Sequence, residues 1–176
     1  MDLQPRHLVN EWVKLTPLVE DDFDVLYRVA CDPLIWEQHP NPDRYKKDVF
    51  QNYFAGALAS KGAFLISSMN GDVIGSTRFY DFFPEKGEVK IGYTFFSRTC
   101  WGMPYNRATK HLMLTYAFQF VPRVIFHVGA QNIRSQKAME KLGAIKIGEE
   151  QVAYYGEETR LNYVYMVEAQ SQLFTV

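Results

Sequence analysis

Polar and apolar positions along the chain follow two rhythms, and together they predict an ordered series of elements. Glu11-Trp12-Val13-Lys14-Leu15 predicts a first strand, stopped by Thr16-Pro17. Asp21 and Asp22 favour the positive end of a helix that runs to about Ala30, with Phe23, Leu26, Tyr27 and Ala30 at core spacing. Pro33, Pro40 and Pro42 exclude a long helix between Leu34 and Pro42. Asp43 is the expected cap of a second helix to about Leu58, whose apolar face carries Val49, Phe50, Tyr53, Phe54 and Ala57. Ala63–Ser68 and Val73–Tyr80 read as strands joined at the hairpin signal Asn70-Gly71. A loop, Asp81–Gly87, leads to a third such run, Val89–Phe96. After a break at Ser97–Pro104 come an apolar helix, Tyr105 to Phe120, and a strand, Val124–Val128. A shorter helix, Asn132 to Leu142, is closed by Gly143. Ala144–Gly148 and Leu161–Glu168 are the last strands, joined across a loop with Tyr154, Tyr155 and Gly156. The expected fold is α+β: a mixed, twisted sheet of about seven strands with four helices, in the order βααβββαβαββ. Its central strand–helix–strand unit implies one parallel pair.

Composition narrows the class. At 176 residues the length prior gives one domain, 1–176, large enough for a substantial core. With 47% hydrophobic and 22% charged residues the chain is globular in composition. A formal net charge of −1 argues against a nucleic-acid partner, which would require a clustered basic surface. Cys31 and Cys100 are too few for a disulfide framework or a zinc site, and no His/Asp/Glu grouping has metal-ligand spacing. No run approaches the ~20 apolar residues of a membrane span. The N-terminus lacks the basic start and apolar run of a signal peptide, so a cytoplasmic location is the expectation.

Candidate chemistry begins at the break after Phe96. A helix opening directly after a strand presents unpaired backbone N–H groups and the positive end of its dipole, a ready site for phosphate or pyrophosphate. An ordinary βα turn, with Gly102 for the bend and Pro104 before helix entry, is the competing reading. The downstream run Asn132-Ile133-Arg134-Ser135, followed by Glu140-Lys141-Leu142-Gly143-Ala144, resembles the "N-x-x-S … E-K-L-G-F" signature of the GNAT acetyltransferase superfamily. Trp101-Gly102-Met103-Pro104-Tyr105-Asn106 sits where that superfamily has its acetyl-CoA pyrophosphate loop, R/Q-x-x-G-x-G/A. The chain is most similar to the branch that acetylates N-terminal amines of ribosomal proteins, from Leu15 to about Val167.

The resemblance carries specific expectations. The strands ending at Phe96 and Val128 would splay, and acetyl-CoA would enter the wedge. Backbone N–H groups from Gly102 to Asn106 would cradle the pyrophosphate, assisted by Arg107. Three positions depart from the pattern: Trp101 for Arg/Gln, Pro104 for Gly and Asn106 for Gly/Ala. Pro104 supplies no N–H. Asn132 would hold the pantetheine arm, although an N-cap bonded to the N–H of Ser135 is an equally physical role. Ser135 is the motif-based general acid for the departing thiolate. Four residues on, where relatives offer a Tyr, stands Met139, which cannot donate a proton. A backbone N–H of Phe95 or Phe96 would hold the oxyanion.

The acceptor side is less patterned. Glu88 is the first candidate for the catalytic base, with Glu37 and His39 as further candidates. Trp36, His39 and Tyr80 are the substrate-binding candidates, within a group of aromatics that includes Phe82, Phe83, Tyr154 and Tyr155. His111 and His127 are assigned to packing. The expected activity is acetyl-CoA-dependent N-acetylation of a primary amine, on a protein N-terminus or a small molecule. The alternative is a non-catalytic CoA-binding sensor or interaction module. Neither nucleic acid nor membrane is an expected partner, and the family's frequent pairing leaves a homodimer open.

Overall fold

The computed structural model describes residues 1–153 and 155–170. Eight strands form one sheet: β1 (Leu8–Val9), β2 (Val13–Pro17), β3 (Ala63–Ser68), β4 (Val73–Phe83), β5 (Glu88–Phe96), β6 (Arg123–Gly129), β7 (Ile145–Ala153) and β8 (Thr159–Glu168). Their spatial order is β1-β2-β3-β4-β5-β6-β8-β7. Every pairing is antiparallel except β5 with β6. Four α-helices complete the fold: α1 (Phe23–Ala30), α2 (Lys47–Ala59), α3 (Tyr105–Ala117) and α4 (Ile133–Lys141).

The expected order holds with local corrections. The two-residue strand β1 adds an eighth member, pairing Leu8 with Leu15. β4 continues through the expected loop as far as Phe83, and β7 reaches Ala153 rather than Gly148. Asp43 does not cap α2. Asn41 caps a short 3-10 turn at Pro42–Tyr45 instead, its side chain accepting from the Asp43 N–H at 3.1 Å, and α2 begins only at Lys47. Proline at the first position of that turn explains the shift, because Pro fixes φ and has no N–H to lose.

The sheet separates two cores. Against α3 and α4 pack residues such as Val89, Ile91, Phe96, Met113, Leu114, Phe126 and Met139. Against α1 and α2 pack Leu26, Trp36, Phe50, Tyr53, Phe54 and Phe95. Phe95 and Phe96 therefore point to opposite faces, as strand neighbours must.

One irregularity positions everything that follows. Between the pairs Ser76↔Phe95 and Arg78↔Gly92, β4 has one residue, Thr77, where β5 has two, Tyr93 and Thr94. This is a β-bulge, and Tyr93 sits in it at φ +54°. Bulges bend their strand. β5 pairs with β6 only from Glu88 to Lys90, opposite Arg123 to Ile125, and beyond Lys90 the strands part.

Candidate active site

The parting of β5 and β6 opens a cavity of about 850 Å³ that passes between the sheet's two cores. Its wall is built from the break after β5, the starts of α3 and α4, and Trp36, His39 and Tyr80. Phe95, Phe96, Trp101, Gly102, Met103, Pro104 and Asn106 all line it, as do Asn132 and Ser135. The Ser97 N–H donates to the Ile74 carbonyl on β4. Strand N–H groups alternate in direction, so the Phe96 N–H faces the open wedge and that of Phe95 faces β4.

The loop offers fewer donors than its length suggests. The N–H groups of Trp101 and Met103 turn back to the carbonyls of Arg98 and Cys100, at 3.0 and 3.2 Å, and Pro104 has none. Gly102, at φ +79°, takes the bend with open space around its Cβ position; its freedom of φ is what the turn requires. Helix geometry leaves the N–H groups of Tyr105, Asn106 and Arg107 without intrahelical acceptors. No acidic residue stands in that first turn. The Tyr105 ring turns away from the cavity and packs edge-on against Trp12, with centroids 6.3 Å apart.

Asn132 does cap its helix: its Oδ1 accepts from the Ser135 N–H at 3.1 Å. Arg134, in the same first turn, is a cavity residue the sequence reading did not single out. Its guanidinium lies 4.0 Å from the Trp101 ring centroid. It reaches Glu37 Oε1 at 3.4 Å, while its backbone N–H donates to Gln38 Oε1 at 3.1 Å. Where the GNAT pattern has Arg or Gln in the loop, this chain has Trp101 and brings a cation to it from α4. Glu37 is therefore held at the rim by Arg134.

Beside Trp36 and His39 stands a second residue the sequence reading did not single out. Arg44 is 2% exposed. Its Nε and Nη2 reach Oε1 of Glu157 at 2.7 and 2.6 Å, and its guanidinium lies 5.0 Å from the Tyr53 ring centroid. Arg44 Nη1 stands 3.1 Å from His39 Nε2. Nδ1 accepts from the Asn41 N–H at 2.9 Å and stands 3.2 Å from the Asn41 carbonyl. Burial first, and the Arg44 charge second, hold His39 well below its usual pKa. Trp36 is fixed by its indole N–H donating to the Ala30 carbonyl at 2.7 Å, and Tyr80 packs edge-on to Tyr93 at 5.2 Å.

Glu88 is placed elsewhere. It begins β5, outside the cavity, and pairs loosely with Arg123 at 3.9 Å. Phe82 and Phe83 are half-buried beyond the cavity wall and Tyr155 is exposed. Tyr154 lies outside the described residues. His127, read as packing, lines the cavity. Its Nε2 is 3.2 Å from Glu150 Oε2, and burial, with Lys90 behind it, lowers its pKa against the pull of Glu150.

The electrostatic character follows from the wall. Among the described residues six cationic side chains line the cavity: Arg44, Arg107, Lys110, Arg134, Lys137 and Lys141. No Asp or Glu among them does. In a chain of net charge −1, a cleft of one sign concentrates anions. Among the described residues no group of His, Cys, Asp or Glu could hold a metal ion, and no helix is long and apolar enough to cross a membrane.

A parallel pair parted beyond a bulge, with a basic cleft ending at helix N-termini, has the form that a polyanionic cofactor requires. The model of the acetyltransferase (GNAT) domain matches residues 13–145, and the chain belongs to that family. A candidate acetyltransferase from T. thermophilus is 27% identical at a TM-score of 0.74, covering 93% of this chain and 89% of its own. A GCN5-related N-acetyltransferase from Brucella melitensis superposes at a TM-score of 0.77 with 19% identity, over 93% and 79% of the two chains. Mycobacterium smegmatis RimJ in complex with CoA-disulfide gives 0.70 at 16% identity, over 91% and 83%. No curated protein matches. The chain is an acetyl-CoA-dependent acetyltransferase.

Proposed function

We propose that the acceptor is a primary amine, first of all the α-amine of a protein N-terminus, and that it attacks the thioester directly. The observation that carries this reading is the basic cleft with no carboxylate among the described residues of its wall. Its cationic inner end suits the cofactor's phosphates: the first-turn N–H groups of α3, with Arg107 and the Trp101-stacked Arg134, would take the pyrophosphate. Asn132 and Ser135 would flank the pantetheine arm, and the Phe96 N–H would hold the carbonyl oxygen. When bound, acetyl-CoA supplies an activated acyl group.

The same wall selects the acceptor. With Glu88 outside and Glu37 tied to Arg134, no carboxylate described inside takes a proton from an incoming ammonium. An acceptor that arrives as the free amine is favoured. An α-amine, with a pKa of about 7.7–8.0, is a substantial fraction neutral near pH 7.5, whereas a lysine-type amine at about 10.4 is neutral to roughly one part in a thousand. A small α-amine or weakly basic amine is the second reading, favoured by the aromatic lining at Trp36 and Tyr80. His127, neutral and oriented by Glu150, is the imidazole best placed to pass the remaining proton to solvent.

The test is thiol release from acetyl-CoA with a matched panel at one pH: peptides with free N-termini, their N-blocked lysine counterparts, polyamines and amino-acid amides. The expected order is α-amine peptides first, by about tenfold or more in kcat/KM, from the difference in neutral fraction. Equal or faster turnover of alkylamines would refute the acceptor assignment. Binding of acetyl-CoA without turnover on any amine would return the chain to a CoA-binding module.

A further inference from the structure

Lys110 is a cation of the cleft with no role in the scheme above. Lys110, on α3, is 4% exposed and lines the cavity. Its Nζ donates to Thr94 Oγ1 at 2.5 Å, and that hydroxyl stands 2.8 Å from Thr77 Oγ1. Thr94 belongs to the bulge, beyond the last β5–β6 pair at Lys90, so the ammonium sits where the two strands have parted. The Phe126 ring on β6, its centroid 5.5 Å from Nζ, offers a weak cation–π contact. An ammonium has three N–H donors, and Thr94 accounts for one.

Among the described residues nothing acidic lines the cavity around it. The titratable groups around Lys110 are Tyr93 on β5, His127 on β6, Arg107 and His111 on α3, and Lys137 and Lys141 on α4. A buried cation without a counter-charge is a standing cost to the fold. Burial alone brings its pKa down to about 7. Such a group is positioned for an anion that comes and goes.

We propose that Lys110 is the proton donor to the departing CoA thiolate and the group by which the cleft recognises that sulfur. The inference rests on the acetyl-transfer reading. As the acceptor nitrogen bonds to the carbonyl carbon, the C–S bond breaks and its electron pair stays on sulfur. Lys110 Nζ–H gives that sulfur a proton, and the amine regains one from the proton the acceptor nitrogen loses. Transfer runs downhill, since a thiol of pKa about 8.5 holds its proton more tightly than this ammonium. Met139 occupies the position where relatives place a tyrosine and cannot perform the step, and Lys110 takes the role that the motif assigns to Ser135.

The first experiment needs no variant. The wild-type protein is titrated calorimetrically with CoA and with desulfo-CoA. About tenfold tighter binding of CoA is expected, the scale of one hydrogen bond between the thiol and Nζ, and equal affinities would overturn the proposal. Failure of the wild type to bind either molecule would instead remove the acetyl-transfer reading beneath it. In Lys110→Met the CoA preference should vanish and kcat fall by about 10²-fold or more, with acetyl-CoA affinity changed less than about threefold. Lys110→Arg keeps the charge but cannot release a proton near neutral pH, so it should not restore turnover. A fully active arginine variant would show that charge alone suffices and refute proton donation.

Discussion

Arg44 and Lys110 are both deeply buried cations on the same cavity, and the fold treats them in opposite ways. Arg44 is matched: Glu157 meets it with two short contacts, and the rings of Trp36, Tyr53 and Tyr93 stand 5.6, 5.0 and 5.9 Å from its guanidinium. Lys110 has a threonine hydroxyl and a phenyl ring. The charge of Arg44 is therefore met within the chain. The charge of Lys110 is left uncompensated among the described residues of the cavity wall, which suits an anionic ligand. A site for a permanent structural partner and a site for a transient anion differ chiefly in where the counter-charge comes from.

The comparison breaks most visibly at Glu157. Glu157→Gln removes the carboxylate paired with Arg44 and should destabilise the protein by about 3–5 kcal/mol. That corresponds to roughly 6–20 °C in melting temperature. A change under about 2 °C would mean the pair contributes nothing net.

Lys110→Met should move stability the other way. The folded pKa of about 7 lies below the ordinary 10.5, so the unfolded state binds the proton more tightly and the charge opposes folding. The gain from its removal is full below pH 7 and fades as pH rises toward 10.5. At neutral pH it should be on the order of 4 kcal/mol, the scale of the difference between 10.5 and about 7 at about 1.36 kcal/mol per pH unit. Unfolding curves on the acid side of neutrality and again near the ordinary lysine pKa measure it; a pH-independent difference would contradict the argument.

Smaller effects sharpen the contrast. Arg134→Ala takes a cation from the pyrophosphate end and should weaken acetyl-CoA about tenfold, with reduced salt dependence, by calorimetry at two ionic strengths. Asn132→Ala loses a helix cap and should cost about 1 kcal/mol in the apo protein, read from its denaturant midpoint.

Much of this molecule was legible beforehand for a definite reason. Strand runs such as Ala63–Ser68 and the Asn132 cap are local, set by side-chain period and backbone hydrogen bonding within a few residues. The N-x-x-S and E-K-L-G runs point to the family in the same local way. One missed signal was present as well: Lys110, Met113, Leu114 and Ala117 fall at i, i+3, i+4 and i+7, which puts a lysine on the buried stripe of α3.

Other features arise only in three dimensions. Arg44 and Glu157 are 113 positions apart, and nothing in either neighbourhood announces the other. Arg134 reaches Trp101 only because α3 and α4 begin at the same end of the parted strands. Glu88 opens the right strand but at its paired end, away from the wedge, a distinction that the bulge at Tyr93–Thr94 makes and composition does not. The order of residues along the chain was enough for the elements, their succession and the family, because those depend on local period and motif. Which charges are compensated and which await a ligand emerged only on folding, because compensation depends on distance through space.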